Sequence, residues 1–177
     1  MRLNRFFRLS LLALACAAAL TVRAADEKSG EKKEFERVDF GLLAAFNYVP
    51  PGYETMVPGA PPPPADTSGK PKDQIPDFVR ALDAKKIAVT GFMLPTKFKD
   101  GKVTEFLLMK DQSGCCFGAM PRINEWIIVK MGNGGIPPLM DVPLTLVGQL
   151  KVGEVFEEGY LSGIYQLAGD KMLEAKS

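Results

Sequence analysis

The chain has 177 residues, no histidine, three cysteines, fourteen prolines and nearly cancelling charges, with 22 lysines and arginines against 21 acidic residues. That length suits one domain with a real core, and the charge balance excludes polyelectrolyte-type binding to nucleic acid or to an anionic bilayer. Without histidine there is no ordinary Ser/His or Cys/His pair and the commonest metal ligand is missing, so the chain is read as non-catalytic.

Arg2, Arg5 and Arg8 lead into an uncharged run over residues 9–22, which closes on Val22-Arg23-Ala24. This is the layout of a secretory signal peptide over residues 1–24, with cleavage expected after Ala24. The run of fourteen residues is shorter than the roughly 20 that a spanning helix needs. Cys16 offers a site for lipid attachment, but Ala13-Leu14-Ala15 before it departs from the lipoprotein pattern, so attachment is not expected. Removing the leader takes four arginines and leaves eighteen basic residues against twenty-one acidic ones. The mature protein is therefore expected in the periplasm, with no transmembrane segment of its own.

Residues 25–37 are mostly charged and are expected to be loosely attached. Residues 38–46 form a short apolar element whose type, helix or strand, the pattern leaves open. Eight of the fourteen prolines fall within residues 50–72, including Pro61 to Pro64, so the N-terminal segment over 38–74 should carry an extended surface loop. A passive spacer is favoured over a partner-recruiting polyproline stretch.

Pro76 suits a first helical turn, and Phe78, Val79 and Leu82 recur at helical spacing, which predicts one short helix over 76–83. Strands are predicted over 85–94, 103–109, 123–131, 142–152 and 160–167. A hairpin turn is expected at Lys99-Asp100-Gly101-Lys102. Glycines inside these strands, at Gly91, Gly148 and Gly163, mark bulges and corners. The predicted fold is mainly β, a small five-stranded OB-like barrel over residues 75–173 with one short helix before it.

Ile75-Pro76, Arg80-Ala81-Leu82-Asp83, Gly91-Phe92-Met93-Leu94-Pro95, Thr104-Glu105-Phe106-Leu107-Leu108, Cys115-Cys116-Phe117-Gly118 and Asn124-Glu125-Trp126 together resemble the domain of unknown function 3299 family of exported bacterial proteins. The resemblance covers roughly residues 38–173 and rests above all on Cys-Cys-Phe-Gly with Asn-Glu. It implies no activity. It does imply kinship with small lipoproteins and an association of some members with envelope ABC-type transport systems.

The chemical feature of most interest is Gly114-Cys115-Cys116-Phe117-Gly118, between two predicted strands. In an extended chain the two thiols point to opposite faces, whereas the flanking glycines favour a turn in which both sulfurs face one way. Three fates compete. A vicinal disulfide would be strained, because adjacent Cα atoms stand about 3.8 Å apart against a usual range of roughly 4.4–6.8 Å, and so easily reduced. Alternatively the two thiolates bind Cu or Zn, with Asp111, Glu125 or a partner completing the shell. The third reading is plain packing of a loop. Asn124 and Glu125 are expected beside this loop, as hydrogen bonders before ligands, and Trp126 as a core or rim residue.

A redox enzyme is disfavoured, since the usual motif separates its cysteines by two residues at a helix start. Gly132-Asn133-Gly134-Gly135 is not a phosphate loop, because Pro137-Pro138 forbids the helix that should follow. The functional expectation is a periplasmic, non-catalytic binding or accessory module that contacts envelope proteins, including an ABC-type transporter. The alternative is a thiol-dependent Cu or Zn carrier, or a redox-sensitive protein, using Cys115 and Cys116.

Overall fold

A computed structural model describes residues 34–50, 74–113 and 120–175. The leader, Cys16, most of the charged segment, the proline-rich loop and both Cys115 and Cys116 lie outside the described residues. In chain order the elements are β1 (Glu36–Val38), α1 (Phe40–Leu43), α2 (Asp77–Arg80), β2 (Lys86–Lys99), β3 (Lys102–Met109), β4 (Trp126–Met131), β5 (Pro143–Glu157) and β6 (Tyr160–Ala175).

The fold is mainly β, with one six-stranded sheet among the described residues rather than the five strands expected. The extra strand is β1, which pairs in parallel with β2 through Glu36↔Ile87, Arg37↔Ala88 and Val38↔Val89. Residues 34–37, expected to be loosely held, are instead fixed at this edge. Lys85 binds Glu36 at 3.1 Å and Lys86 binds Glu34 at 3.0 Å.

β2 is long enough to serve two neighbours. Its first half, Lys86 to Phe92, pairs antiparallel with β5, and Phe92 to Lys99 pairs antiparallel with β3. β3 then pairs antiparallel with β4, β4 parallel with β6, and β6 antiparallel with β5, so the succession β2, β3, β4, β6, β5 returns to β2. Such tight turning needs close backbone approach, which two of the expected glycines provide. A Cβ on Gly148 would stand 2.3 Å from the Ala168 carbonyl oxygen, and one on Gly91 would stand 2.5 Å from that of Met109. The hairpin at Asp100-Gly101 forms as expected, with positive φ at both residues. Glu158-Gly159 repeats that geometry between β5 and β6, which carries β5 past its predicted end at 152, and pairing with Leu144 to Gln149 carries β6 past 167.

The alternating residues Phe106, Leu108, Ile127, Val129, Leu144, Leu146, Leu150 and Leu167 are fully buried and form the core with Leu43 of α1 and Val79 of α2. The open question over residues 38–46 resolves into strand for Val38 and helix for Phe40–Leu43. Asp39 caps that helix by accepting the Leu42 N–H at 2.9 Å. The buried Tyr165 hydroxyl donates to the Leu43 carbonyl at 2.8 Å, and burial pushes this phenol's pKa above its ordinary value. α2 starts where Pro76 fixes φ at −64° and is shorter than predicted, the chain turning over residues 81–84 into β2.

Candidate functional site

Met109 at the end of β3 and Trp126 at the start of β4 are registered partners, so the segment between them leaves the sheet and returns at one place. The Lys110 N–H donates to the Glu125 carbonyl at 2.9 Å, which closes this stem, and the Glu125 N–H donates to the Arg122 carbonyl at 2.8 Å. The Glu125 carboxylate sits at the junction. It accepts from the Arg122 backbone N–H at 2.9 Å, from the Arg122 guanidinium at 3.0 Å and from the Lys110 ammonium at 2.9 Å. Burial pushes its pKa up, but the Arg122 and Lys110 hydrogen bonds outweigh that and hold the carboxyl at about 2.

Asn124 is fully buried and donates its amide to the Phe46 carbonyl at 2.7 Å, while Arg122 reaches the Ala44 carbonyl at 3.3 Å. These two bonds tie the turn after α1 to the returning limb. The Asn124 side-chain oxygen has no hydrogen-bond partner among the described residues. On the outgoing limb the Asp111 carboxylate accepts from the Ser113 hydroxyl and, at 2.9 Å, from the Ser113 N–H. The Ser113 bonds hold the Asp111 carboxyl below the usual carboxylate range. Gln112 donates to Asp141 at 2.9 Å and links the limb to the loop before β5.

Asp111, Asn124, Glu125 and Trp126 thus all belong to the base of one loop, and Asp111 lies close enough to Glu125 to feel its charge. Cys115 and Cys116 belong to the same loop in sequence but lie outside the described residues. Glu125 is already neutralised by two cations and Asp111 is engaged by Ser113, which makes both poor candidates to complete a thiolate metal shell. Among the described residues no three or more Cys, Asp or Glu side chains come together as a metal site.

β2, β3 and β4 carry a second feature that was not foreseen from the residues. Phe92, Met109 and Trp126 form one cross-strand row, and Leu94, Leu107 and Ile128 form the next. These residues alternate with Met93, Leu108 and Ile127, which face the core. The face away from the core is therefore apolar as well. Leu94 is 37% exposed and Phe92, Leu107, Met109 and Trp126 are half-buried, whereas Ile128 is buried beside Gly163 of β6. The Trp126 indole N–H is satisfied by the Ser162 carbonyl at 3.0 Å, and its ring is partly buried, packing against the core. Lys97 paired with Glu105 at 2.9 Å and Lys130 paired with Glu157 at 3.7 Å border one end of this face, and the loop stem borders the other. Unbroken apolar runs at Phe106-Leu107-Leu108-Met109 and Trp126-Ile127-Ile128-Val129 were the available signal, since a strand with only one buried face alternates.

The family described as "Protein of unknown function (DUF3299)" matches residues 65–174. A crystal structure of a protein of that family, PA4066 from Pseudomonas aeruginosa PAO1, is similar at a TM-score of 0.52 and 20% identity, covering 81% of this chain and 97% of that one. At that identity the likeness concerns the fold alone. No curated protein matches the chain.

Proposed function

We propose that this chain, which belongs to the DUF3299 family of proteins of unknown function, is a non-catalytic binding module that docks an envelope protein on the apolar outer face of β2, β3 and β4. The observation that carries the reading is the pair of apolar rows on the side of these strands turned away from the core, beside a loop whose two ends are clamped together. Exposed apolar surface of this kind, rimmed by charge, is characteristic of interaction sites. The leader-like residues 1–24 support an exported protein, and the envelope setting makes an ABC-type transport system the natural partner class.

We read the five strands β2 to β6 as a small OB-like barrel. The closed succession of pairings and the parallel β4–β6 contact support that reading. A carrier of Cu or Zn, or a redox-sensitive switch, built on Cys115 and Cys116 is the second reading. Two adjacent thiols on a loop fastened by Glu125, Lys110 and Arg122 favour it.

The test is capture of solubilised envelope proteins on the tagged, exported protein. The Leu94→Glu/Leu107→Glu variant should recover at least about fivefold less of the partner than the parent, a loss of about 1 kcal/mol or more. The reading fails if that variant, still folded by circular dichroism, recovers the same proteins in the same amounts. Cys115→Ser/Cys116→Ser separates the two readings. If this variant alone loses the partner, and the parent carries copper or zinc or lacks two protons by mass spectrometry, the thiol reading takes precedence.

A further inference from the structure

Next to the apolar face, the sheet's outer surface changes character where β4, β6 and β5 lie side by side. Lys130, Ala168 and Gln149 are cross-strand partners in one row, and Ile128, Gln166 and Lys151 in the next. Leu150 and Leu167, between these rows, point into the core. Neighbouring strands are about 4.8 Å apart, so Lys130 and Gln149 rise roughly 10 Å from each other with only a methyl group between them. The small Ala168 therefore floors a hollow of about 460 Å³, within the roughly 300–1,000 Å³ range of small-molecule sites.

The far wall is the turn at Asp83-Ala84, fastened on β5 by four hydrogen bonds. Ala84 N–H donates to the Leu150 carbonyl at 2.8 Å, Leu150 N–H to the Lys85 carbonyl at 2.9 Å, Val152 N–H to the Asp83 carboxylate at 2.8 Å and the Gln149 amide to the Ala84 carbonyl at 3.0 Å. A wall so fixed preserves the shape of the hollow.

The polar groups around it are unequally used. The Asp83 carboxylate is committed to a backbone donor, and Lys130 shares Glu157 at 3.7 Å. Lys151 has no ion pair and Gln166 no side-chain hydrogen bond among the described residues. The Gln149 side-chain oxygen also remains available. One uncommitted ammonium meets an oxyanion, and two amides, each able to donate or accept, match hydroxyl groups.

The geometry points to a binding site in this hollow for a monosaccharide that bears an oxyanion, held by Lys151 with Lys130 on its charged end and by Gln149 and Gln166 on its hydroxyls. It adjoins the apolar docking face at Lys130 but does not depend on that face being used.

Backbone amide NMR of the protein titrated with glucuronate and with glucose 6-phosphate tests this and distinguishes carboxylate from phosphate sources. Either compound should give saturable shifts at about millimolar concentration, confined to residues 83–84, 149–151 and 166–168, and weakened by added salt. Lys130→Gln/Lys151→Gln should raise the apparent Kd at least tenfold, and Ala168→Leu, which fills the hollow from an exposed position, should abolish binding while leaving the thermal melt unchanged. Absence of saturable shifts with both compounds overturns the proposal, as does binding unaltered in both variants. Inorganic phosphate or neutral glucose binding as tightly as either acid overturns the ligand class.

Discussion

Phe106 and Leu107 are neighbours in one strand, yet they live in different surroundings. Phe106 is fully enclosed, while Leu107 sits among Leu94, Ile128 and solvent on the opposite face. Both rows are apolar, so hydrophobicity alone does not tell which one folds the protein. The strand pairings decide it: they put one set of side chains against the core and leave Phe92, Leu94, Leu107 and Met109 of the other set partly open to solvent. The inner face accounts for stability, and on our reading the outer face is kept for contact with another molecule.

Substitutions on the two faces put that contrast to the test. The largest effect is expected for Gly148→Ala, where the new Cβ meets the Ala168 carbonyl at 2.3 Å and backbone must move. A loss above about 4 kcal/mol in urea unfolding is expected, and a loss below about 1 kcal/mol would mean that the strands do not approach so closely. Phe106→Ala should cost about 3–5 kcal/mol, as an enclosed aromatic side chain with no room to relax.

Glu125→Gln should cost about 1–2 kcal/mol at pH 7, less than the full pKa difference implies because part of the carboxylate meets solvent. The folded carboxyl, at about 2, lies below its ordinary 4.5. Its stabilisation is therefore complete above about pH 4.5 and fades as pH falls toward 2. Parent and variant should converge in acid, and a gap in denaturation midpoints that stays constant down to pH 2.5 would contradict the assigned hydrogen bonds. Leu107→Ala should cost about 0.5–1 kcal/mol, since the side chain is half-exposed. A cost equal to that of Phe106→Ala would erase the distinction between the faces.

Much of this sheet was readable in the residues. The five principal strands announce themselves by apolar runs rich in β-branched and aromatic residues between turn signals, and Asp100-Gly101 marks its turn unambiguously. β1 was not readable, because Glu36-Arg37-Val38 carries two charges and is held by lysines some fifty positions away. The far half of β5 was lost because register shifts between Val152 and Phe156 break the alternation, and that of β6 because its partners carry shifts at Thr145/Leu146 and Val147/Gly148. Around the site, Asn124 and Glu125 make hydrogen bonds at the stem between β3 and β4. Their partners were not foreseen, since only the Met109↔Trp126 pairing brings Lys110 to Glu125, and only the fold brings Phe46 to Asn124.

The parallel contact between β4 and β6 also bears on how the polypeptide reaches this arrangement. Ile128 must wait for Gln166, and β2 for residues some sixty positions later, so no early local hairpin can seal the sheet. A nascent chain that has emerged only as far as Tyr160 holds β4 with one bare ladder edge. Loop-closure entropy then makes the final step late and cooperative. Until it happens, the exposed edge of β4 is the point at which chaperones or misassembly compete for the molecule.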